Sequence, residues 1–111
     1  METHPTAAAD SVDSTLDVLG HSYRRHAVRV LDEQGCPLTL ADLADETAVR
    51  EFDARLSAIE PDRVRSVYLA LYHSHVPQLS EAGVVEYDQK SDVVSPTASV
   101  SRLADALDAL R

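Results

Sequence analysis

The fold is decided by residues 62–92, which read DRVRSVYLALYHSHVPQLSEAGVVEYDQKSD. The first part of this stretch repeats apolar residues at intervals of three and four, the spacing that places them on one face of a helix. Gly83 suits the end of that helix, because glycine readily adopts the left-handed conformation that closes many helices. Two short strands follow at 84–88 and 92–95, joined by a turn at 89–91. The stretch therefore predicts a long helix followed directly by a β-hairpin.

Two prolines bound and interrupt the predicted helix. Pro61 fits its first position, where a missing amide costs nothing. Pro77 lies inside the apolar pattern, and we expect it to kink or split the helix near Ser74, because proline removes an interior hydrogen bond. His75 falls on the apolar side and is expected to be a hydrogen-bonded core histidine. His73, two residues away, points to the opposite side, so the two cannot share a metal ion on an intact helix.

Two helical segments are predicted ahead of this stretch and before residue 35. Residues 12–19 form a short helix, and residues 23–32 form a longer one for which Ser22 is a good N-cap. Alanine, valine and leucine side chains of the second helix are expected to face inward, and its arginines outward. These arginines are Arg24, Arg25 and Arg29.

The sequence LTLADLADE, residues 38–46, predicts a further helix with Thr39 as its N-cap and an end near Thr47. A dozen residues then intervene before Pro61, more than a compact helix-turn-helix needs. We interpret residues 48–60 as an inserted amphipathic segment that packs its apolar side chains onto the core. Those side chains are Phe52, Leu56 and Ile59.

A last helix is predicted within residues 97–111, with Thr97 or Ser99 as its cap. Its apolar residues form one stripe at intervals of three and four. Such a stripe suits pairing with its copy in a second subunit, and it equally suits packing on its own domain. The stripe consists of Val100, Leu103, Leu107 and Leu110.

Length and composition indicate one small domain. The chain has 111 residues, of which 44% are hydrophobic, enough to close a single core. We expect a disordered tail at 1–11, a folded domain at 12–96 and the C-terminal helix at 97–111. No apolar run approaches the roughly 20 residues that span a bilayer, and no secretory signal is visible, so a cytoplasmic location is expected. A single cysteine, Cys36, excludes an intramolecular disulfide and a cysteine-based zinc site.

The charge of the chain is acidic and almost free of lysine. The net charge is −9, with 19 acidic and 10 basic residues, and Lys90 is the only lysine. This composition favours a protein of a cytoplasm with multimolar salt, because long lysine stems expose methylene groups that salt drives to associate. The alternative is an acidic interaction protein of an ordinary cytoplasm.

The acidic charge is unevenly distributed along the chain. Residues 32–60 carry eight acids and two arginines, whereas residues 21–31 carry three arginines and no acid. Residues 61–83 are neutral, with two acids and two arginines. The two segments without net negative charge are therefore the first long helix and the helix before the hairpin. Such asymmetry matters more for a nucleic-acid partner than the total charge does.

The order of the predicted elements is that of a winged helix-turn-helix: mainly α, with a small β-hairpin wing. The sequence VYLALYHSHVPQLSEAGVVEYD resembles the third helix and first wing strand of winged-helix regulators of the arsenic-repressor type. HSYRRHAVRVL, LTLADLADE and LYHSHVPQLSEAGVVEYD together resemble an uncharacterised haloarchaeal winged-helix domain family, over about residues 13–97. The resemblance implies the fold and a DNA-related role in transcription regulation.

The sequence contains no motif that would make it an enzyme. It lacks a glycine-rich phosphate loop, a Gly-x-Ser-x-Gly nucleophile motif and a His-Glu-x-x-His metal motif. We therefore predict a protein that is not an enzyme and has no cofactor and no metal site.

Double-stranded DNA is the expected partner, bound by the third-helix region, the wing and the first long helix. Arginine can bind guanine with two hydrogen bonds, glutamine can pair with adenine, and hydroxyl groups can donate to phosphate. A homodimer would place two reading helices on a two-fold operator. The alternative function is a protein–protein interaction module that uses the acidic 32–60 face and binds no DNA. The candidate DNA-binding residues are Arg63, Arg65, Ser66, Tyr72, His73, Gln78, Lys90, Arg24 and Arg25.

Overall fold

The computed structural model describes residues 17–110 and is mainly helical with a small antiparallel sheet. Residues 17–19 are helical, which agrees with the end of the expected helix at 12–19. The rest of that helix and the expected tail at 1–11 lie outside the described residues. The elements are α1 (Ser22–Gln34), β1 (Leu38–Thr39), α2 (Leu40–Phe52), a 3-10 turn (Leu56–Ala58), α3 (Pro61–Ala70), a π-helical turn (Leu71–His75), α4 (Val76–Glu81), β2 (Val85–Asp88), β3 (Val93–Pro96) and α5 (Ser99–Ala109).

Helix α1 begins one residue earlier than the sequence predicts. Its N-cap is His21, whose Nδ1 accepts a hydrogen bond from the Tyr23 amide at 3.0 Å. Ser22 is already the first helical residue, so its prediction as the cap was wrong by one position. Gly35 ends the helix with φ of +66°, a conformation that glycine adopts without steric cost.

Helix α2 begins as predicted and ends later. The Thr39 hydroxyl accepts a hydrogen bond from the Asp42 amide at 3.1 Å, which confirms the predicted N-cap. The predicted end near Thr47 was wrong, because Thr47 and Ala48 are fully buried and the helix continues to Phe52. The first part of the segment 48–60 therefore extends α2.

The remainder of that segment is a loop with a short 3-10 turn. Ile59 is buried against the core, as expected for an apolar residue that faces inward. Phe52 packs partly buried against the same core. Leu56 is 41% exposed, so the prediction that it also packs onto the core was wrong.

Residues 61–81 form one long helix that contains a π-helical turn, and we call this unit the long helix. Pro61 occupies its first turn, as predicted. The predicted disturbance near Ser74 is confirmed as the π turn, in which the Val76 amide bonds to the Leu71 carbonyl five residues earlier. Pro77 has no amide to offer the preceding turn, and the wider turn lets the helix continue past it.

The three strands form an antiparallel sheet in the order β1-β3-β2. The predicted hairpin is confirmed: β2 and β3 pair with Val85 opposite Pro96 and Asp88 opposite Val93. Gly83, with φ of +78°, separates the long helix from β2. The sheet also includes β1, which pairs with β3 and thereby joins the start of α2 to the hairpin.

Helix α5 packs against α1, and most of its apolar stripe lies in the protein's own core. Its N-cap is Ala98, so the prediction of Thr97 or Ser99 as the cap was wrong by one position. The Thr97 hydroxyl oxygen, one residue before the cap, accepts a hydrogen bond from the Ser99 amide at 3.2 Å. Three of the four residues predicted for dimerisation, Val100, Leu103 and Leu107, are at most 7% exposed. They are therefore not available as an intermolecular seam in this fold. The fourth, Leu110, is 73% exposed.

Candidate nucleic-acid interface

The long helix has one face in the core and one face in solvent. Val67, Leu71 and Leu79 are fully buried on the inner face. Arg65, Leu69 and His73 are all exposed and follow one another at intervals of four residues. Residues four apart are neighbours on a helix surface, so these three form a continuous exposed row. We call Arg65, Leu69 and His73 the exposed row.

The two arginines of α3 differ in what they contact. Within residues 17–110, Arg65 has no hydrogen bond or ion pair. The Arg63 guanidinium lies 5.4 Å from the centre of the Phe52 ring, in a cation–π contact with the end of α2. In the same part of the chain, neither arginine forms an ion pair with Asp62 or Glu60, the neighbouring acids that could have neutralised them. Arg65 is thus the more available of the two for an external partner.

The other candidates on the long helix are less uniformly placed. The Ser66 hydroxyl donates a hydrogen bond to the Asp62 carbonyl within the helix, at 3.0 Å. His73 is exposed, with its ring 4.9 Å from that of Tyr72. Gln78 is exposed, but it lines a surface pocket together with Arg24 on the side of the helix next to residues 17–18. It therefore borders a different surface from the one that faces the hairpin.

The hairpin is held against the long helix by the side chain of Asp92. The hydroxyl groups of Tyr68, on the helix, and Tyr87, on β2, both donate to the Asp92 carboxylate, the first at 3.3 Å. The Asp92 carbonyl accepts a hydrogen bond from the Leu40 amide, at the first residue of α2, at 2.9 Å. We call Tyr68, Tyr87 and Asp92 the Asp92 network. It joins the hairpin, the long helix and α2 at one point.

Sequence reasoning missed the Asp92 network. Asp92 has φ of 59°, and aspartate is one of the few residues other than glycine that adopt this left-handed conformation at modest cost. An aspartate directly after the predicted hairpin turn was the available signal. Burial raises the pKa of Tyr68 and Tyr87, and the Asp92 carboxylate raises both further. Both hydroxyl groups therefore stay protonated at neutral pH and act as donors.

Lys90, in the turn of the hairpin, and Tyr72, on the long helix, lie further out than the Asp92 network. The Lys90 amide donates to the Asp88 carboxylate at 3.0 Å, which orders the turn and leaves its side chain exposed. The Gln89 side-chain amide donates to the Tyr72 hydroxyl at 3.3 Å, across the gap between hairpin and helix. The lysine is therefore carried on a hairpin whose position relative to the long helix is fixed by hydrogen bonds.

The arginines of α1 bond to the protein's own atoms. Arg24 is only 9% exposed and donates to the carbonyls of Asp17 and Val18, at 2.8 and 3.2 Å, and to His75 Nδ1 at 2.9 Å. The prediction that Arg24 faces outward was wrong, and its burial removes it from the candidate DNA-binding residues. Arg25 is partly buried and donates to the Leu19 carbonyl at 2.6 Å. Arg29 forms an ion pair with Asp108 of α5 at 2.8 Å.

His75 is a hydrogen-bonded core histidine, as its place on the apolar stripe predicts. Arginine can only donate, so Nδ1 of His75 must accept and the ring is neutral, with its proton on Nε2. Burial first, and then the nearby His21 and Arg24, lower the pKa of His75 to about 4. The His21 ring lies 4.2 Å from the His75 ring, centre to centre. No group of three or more histidine, cysteine or acidic residues suited to a metal ion is present within residues 17–110.

The acidic 32–60 face is partly neutralised by one ion pair, between Glu33 and Arg50. The His26 side chain is hydrogen-bonded to Glu51 at 3.1 Å, and burial lowers the pKa of His26, so at neutral pH this contact joins a neutral imidazole to the carboxylate. The hydrogen bond from Arg50 lowers the pKa of Glu33. The exposed acids of α2 without an ion pair in the described part of the chain are Asp42 and Glu46, and the half-buried Asp45 has none there either.

Comparison with known proteins gives a family and no characterised relative. Within residues 17–110, no helix has the length and apolar character needed to cross a membrane. No curated protein and no solved structure is significantly similar to this chain. Residues 16–95, most of the chain, match the model of a family described as a domain of unknown function, DUF7344, and the chain belongs to that family.

Proposed function

We propose that this protein is a winged helix-turn-helix transcription regulator that reads double-stranded DNA with the long helix and the hairpin. The observation that carries the proposal is the exposed row on the long helix, beside a hairpin that the Asp92 network holds in place. A reading helix needs one face that packs in the core and one that is free to enter the major groove. It also needs a fixed relation to its wing.

The connectivity supports this proposal. In the order α1-β1-α2-α3-β2-β3 two successive helices are followed by the hairpin, and β1, which leads into α2, pairs with the second hairpin strand in the sheet order β1-β3-β2. In this arrangement α2 and the long helix are the helix pair, and β2 and β3 are the wing. Arg65 would contact base edges of the DNA, and Lys90 would contact its phosphate backbone. Tyr72 and His73 would contact DNA groups next to the bases that Arg65 reads.

The net charge of −9 is compatible with DNA binding in concentrated salt. At roughly 1 M salt the screening length is about 3 Å, so acids repel DNA only where they nearly touch it. Counterion release, which dominates binding in dilute buffer, contributes little at that salt concentration. We propose a haloarchaeal, cytoplasmic protein on the basis of its composition, with Lys90 as its only lysine.

A homodimer remains part of the proposal, although not through the predicted seam. Of the four residues of that seam, only Leu110 is accessible to a second copy. A dimer would double the contacts and read a two-fold site whose halves are about one DNA turn apart. The mass of the free protein and of its DNA complex, measured by light scattering in the same buffer, tests this.

The test of the proposal is selection of binding sites from random and genomic DNA in 2 M KCl, followed by footprinting. We expect a defined sequence motif. Arg65→Ala should weaken binding to it about ten- to a hundredfold, because one bidentate base contact contributes roughly 1–3 kcal/mol. The matched control is Arg102→Ala, which removes an exposed arginine of α5 and should leave binding unchanged. Among residues 17–110 the side chain of Arg102 bonds to Ser99 alone.

The second candidate function is a protein-binding module that uses the acidic face. The observation in its favour is that Asp42, Asp45 and Glu46 on α2 form no ion pair with any of residues 17–110. If no sequence preference for DNA is found in either 0.2 M or 2 M KCl, the regulator function is wrong and this second function is favoured. Binding that Arg65→Ala and Arg102→Ala reduce equally would also contradict a reading role for the long helix.

A further inference from the structure

Leu69 is a large aliphatic residue in the middle of an otherwise polar exposed face. Within residues 17–110 the exposed large hydrophobic residues are Leu56, Leu69 and Leu110. Leu110 lies at the end of α5 and Leu56 lies in the 3-10 turn. Leu69, at 39% exposure, lies within α3, one turn after Arg65 and one turn before His73.

The core gives no reason for an aliphatic residue at this position. Val67 and Leu71, on the inner face of the same helix, are fully buried and complete its packing. Leaving over a third of a leucine residue in water forgoes part of the stabilisation that full burial would give. A partner that covers the exposed row would recover it.

The chemistry of the major groove indicates which partner group Leu69 fits. The base edges there present hydrogen-bond donors, acceptors and one apolar group, the C5 methyl of thymine. We infer that Leu69 contacts a thymine methyl and so determines part of the sequence specificity. This inference rests on the proposed function, because it requires the long helix to lie in the groove.

The spacing along the helix limits where that thymine lies. Leu69 follows Arg65 by four residues, a rise of about 6 Å. Successive bases of one strand are about 3.4 Å apart. The thymine should therefore lie within about two base steps of the base that Arg65 contacts, and we expect that base to be guanine, the commonest partner of arginine.

Concentrated salt favours a contact of this kind. Phosphate contacts lose strength as salt rises, because there is less entropy to gain from released counterions. Apolar contacts are maintained or strengthened by salts that are excluded from the protein surface. An aliphatic reading residue is thus suited to the conditions that the composition indicates.

The experiment replaces thymine by uracil, which removes only the methyl group. Binding to the selected site is measured in 2 M KCl with thymine or uracil at each position in turn, for the wild type, Leu69→Ala and Leu56→Ala. For the wild type we expect about a fourfold loss at one position per site, the contribution of one buried methyl group. Leu69→Ala should bind the thymine and uracil forms of that position equally. Leu56→Ala, with a matched exposed leucine outside the long helix, should discriminate as the wild type does.

Each other outcome overturns the inference in a distinguishable way. Equal binding of all uracil substitutions by the wild type would mean that no methyl group is read, while DNA binding itself stands. Discrimination that persists in Leu69→Ala would assign the methyl contact to another residue. The absence of any selected site would overturn the proposed function, and this inference with it. Circular dichroism of both variants ensures that a lost contact is not a lost fold.

Discussion

Helices α1 and α3 lie in the two segments without net negative charge, yet they use their arginines differently. Arg24, Arg25 and Arg29 of α1 all bond to atoms of the protein itself. Arg65 of α3 has no such partner among residues 17–110. The comparison shows that the charge of a segment does not determine whether its cations are available. What determines it is which hydrogen-bond acceptors the fold brings near those cations.

The acceptors around α1 are the carbonyl oxygens at the end of the preceding helical residues. The last carbonyls of a helix have no partner within it and carry partial negative charge. Residues 17–19 present three of them, and Arg24 and Arg25 together bond to all three. These two arginines therefore stabilise the fold, whereas Arg65 is free to contribute to binding.

The largest change in the free energy of unfolding is expected for Arg24→Ala, which tests whether the arginines of α1 stabilise the fold and Arg65 of α3 does not. The substitution leaves His75 Nδ1 and the Val18 carbonyl without their donor in a buried place, whereas the Asp17 carbonyl keeps its hydrogen bond from the Gly20 amide. Each buried acceptor without a partner costs about 1–3 kcal/mol, so we expect a loss of about 3–4 kcal/mol in the free energy of unfolding, measured by chemical denaturation. Arg65→Ala, at an exposed position, should change the same quantity by less than about 0.5 kcal/mol.

A loss below about 1 kcal/mol for Arg24→Ala would mean that its hydrogen bonds are replaced by water. The comparison between the two helices would then fail. If the variant does not fold at all, Arg24→Lys separates the roles of charge and geometry, because lysine keeps the charge but cannot donate to all three acceptors at once.

The sequence predicted the order of the helices and of the two hairpin strands, but not that β1 joins the sheet, nor the use of every side chain. Periodicity and the capping residue Thr39 located α2, and Pro77 located the disturbed turn, because these signals act within a few residues. The burial of Arg24 and the Asp92 network depend on contacts between residues far apart in the chain. No local pattern encodes such contacts. The exposed row could be predicted from periodicity, whereas its freedom from internal partners could not.

A somewhat smaller change in the free energy of unfolding is expected when the pH is lowered, because His75, the buried partner of Arg24, can then be protonated. The pKa of His75 in the folded protein is about 4, below its ordinary value of 6.5. The unfolded chain therefore binds this proton first as the pH falls, and stability decreases between pH 6.5 and about 4 and is fully retained above pH 6.5. We expect this decrease to be about 2–3 kcal/mol.

The measurement is chemical denaturation from pH 7.5 to pH 4 for the wild type and His75→Gln. Glutamine can accept the hydrogen bond from Arg24 but does not titrate, so the variant should lack this part of the pH dependence. Carboxylates such as Glu33, whose pKa is lowered by Arg50, titrate in both proteins and cancel in the difference. Parallel pH profiles would show that His75 is protonated as easily in the folded protein as in the unfolded chain.

The smallest effect concerns Arg63, which lies between the two cases: it is exposed on α3 but contacts the Phe52 ring. A cation–π contact at an exposed site contributes about 0.5–1 kcal/mol, so we expect Arg63→Ala to lower the free energy of unfolding by that amount. In a double-mutant cycle with Phe52→Leu, the coupling energy should have the same size, since both single variants remove the same contact. Because its cation is held against α2, Arg63→Ala should weaken DNA binding less than Arg65→Ala. If the coupling energy is zero, and Arg63→Ala and Arg65→Ala weaken DNA binding equally, Arg63 is as available for binding as Arg65. The difference between arginines that bond within the protein and arginines that are available would then exist between α1 and α3, but not within α3.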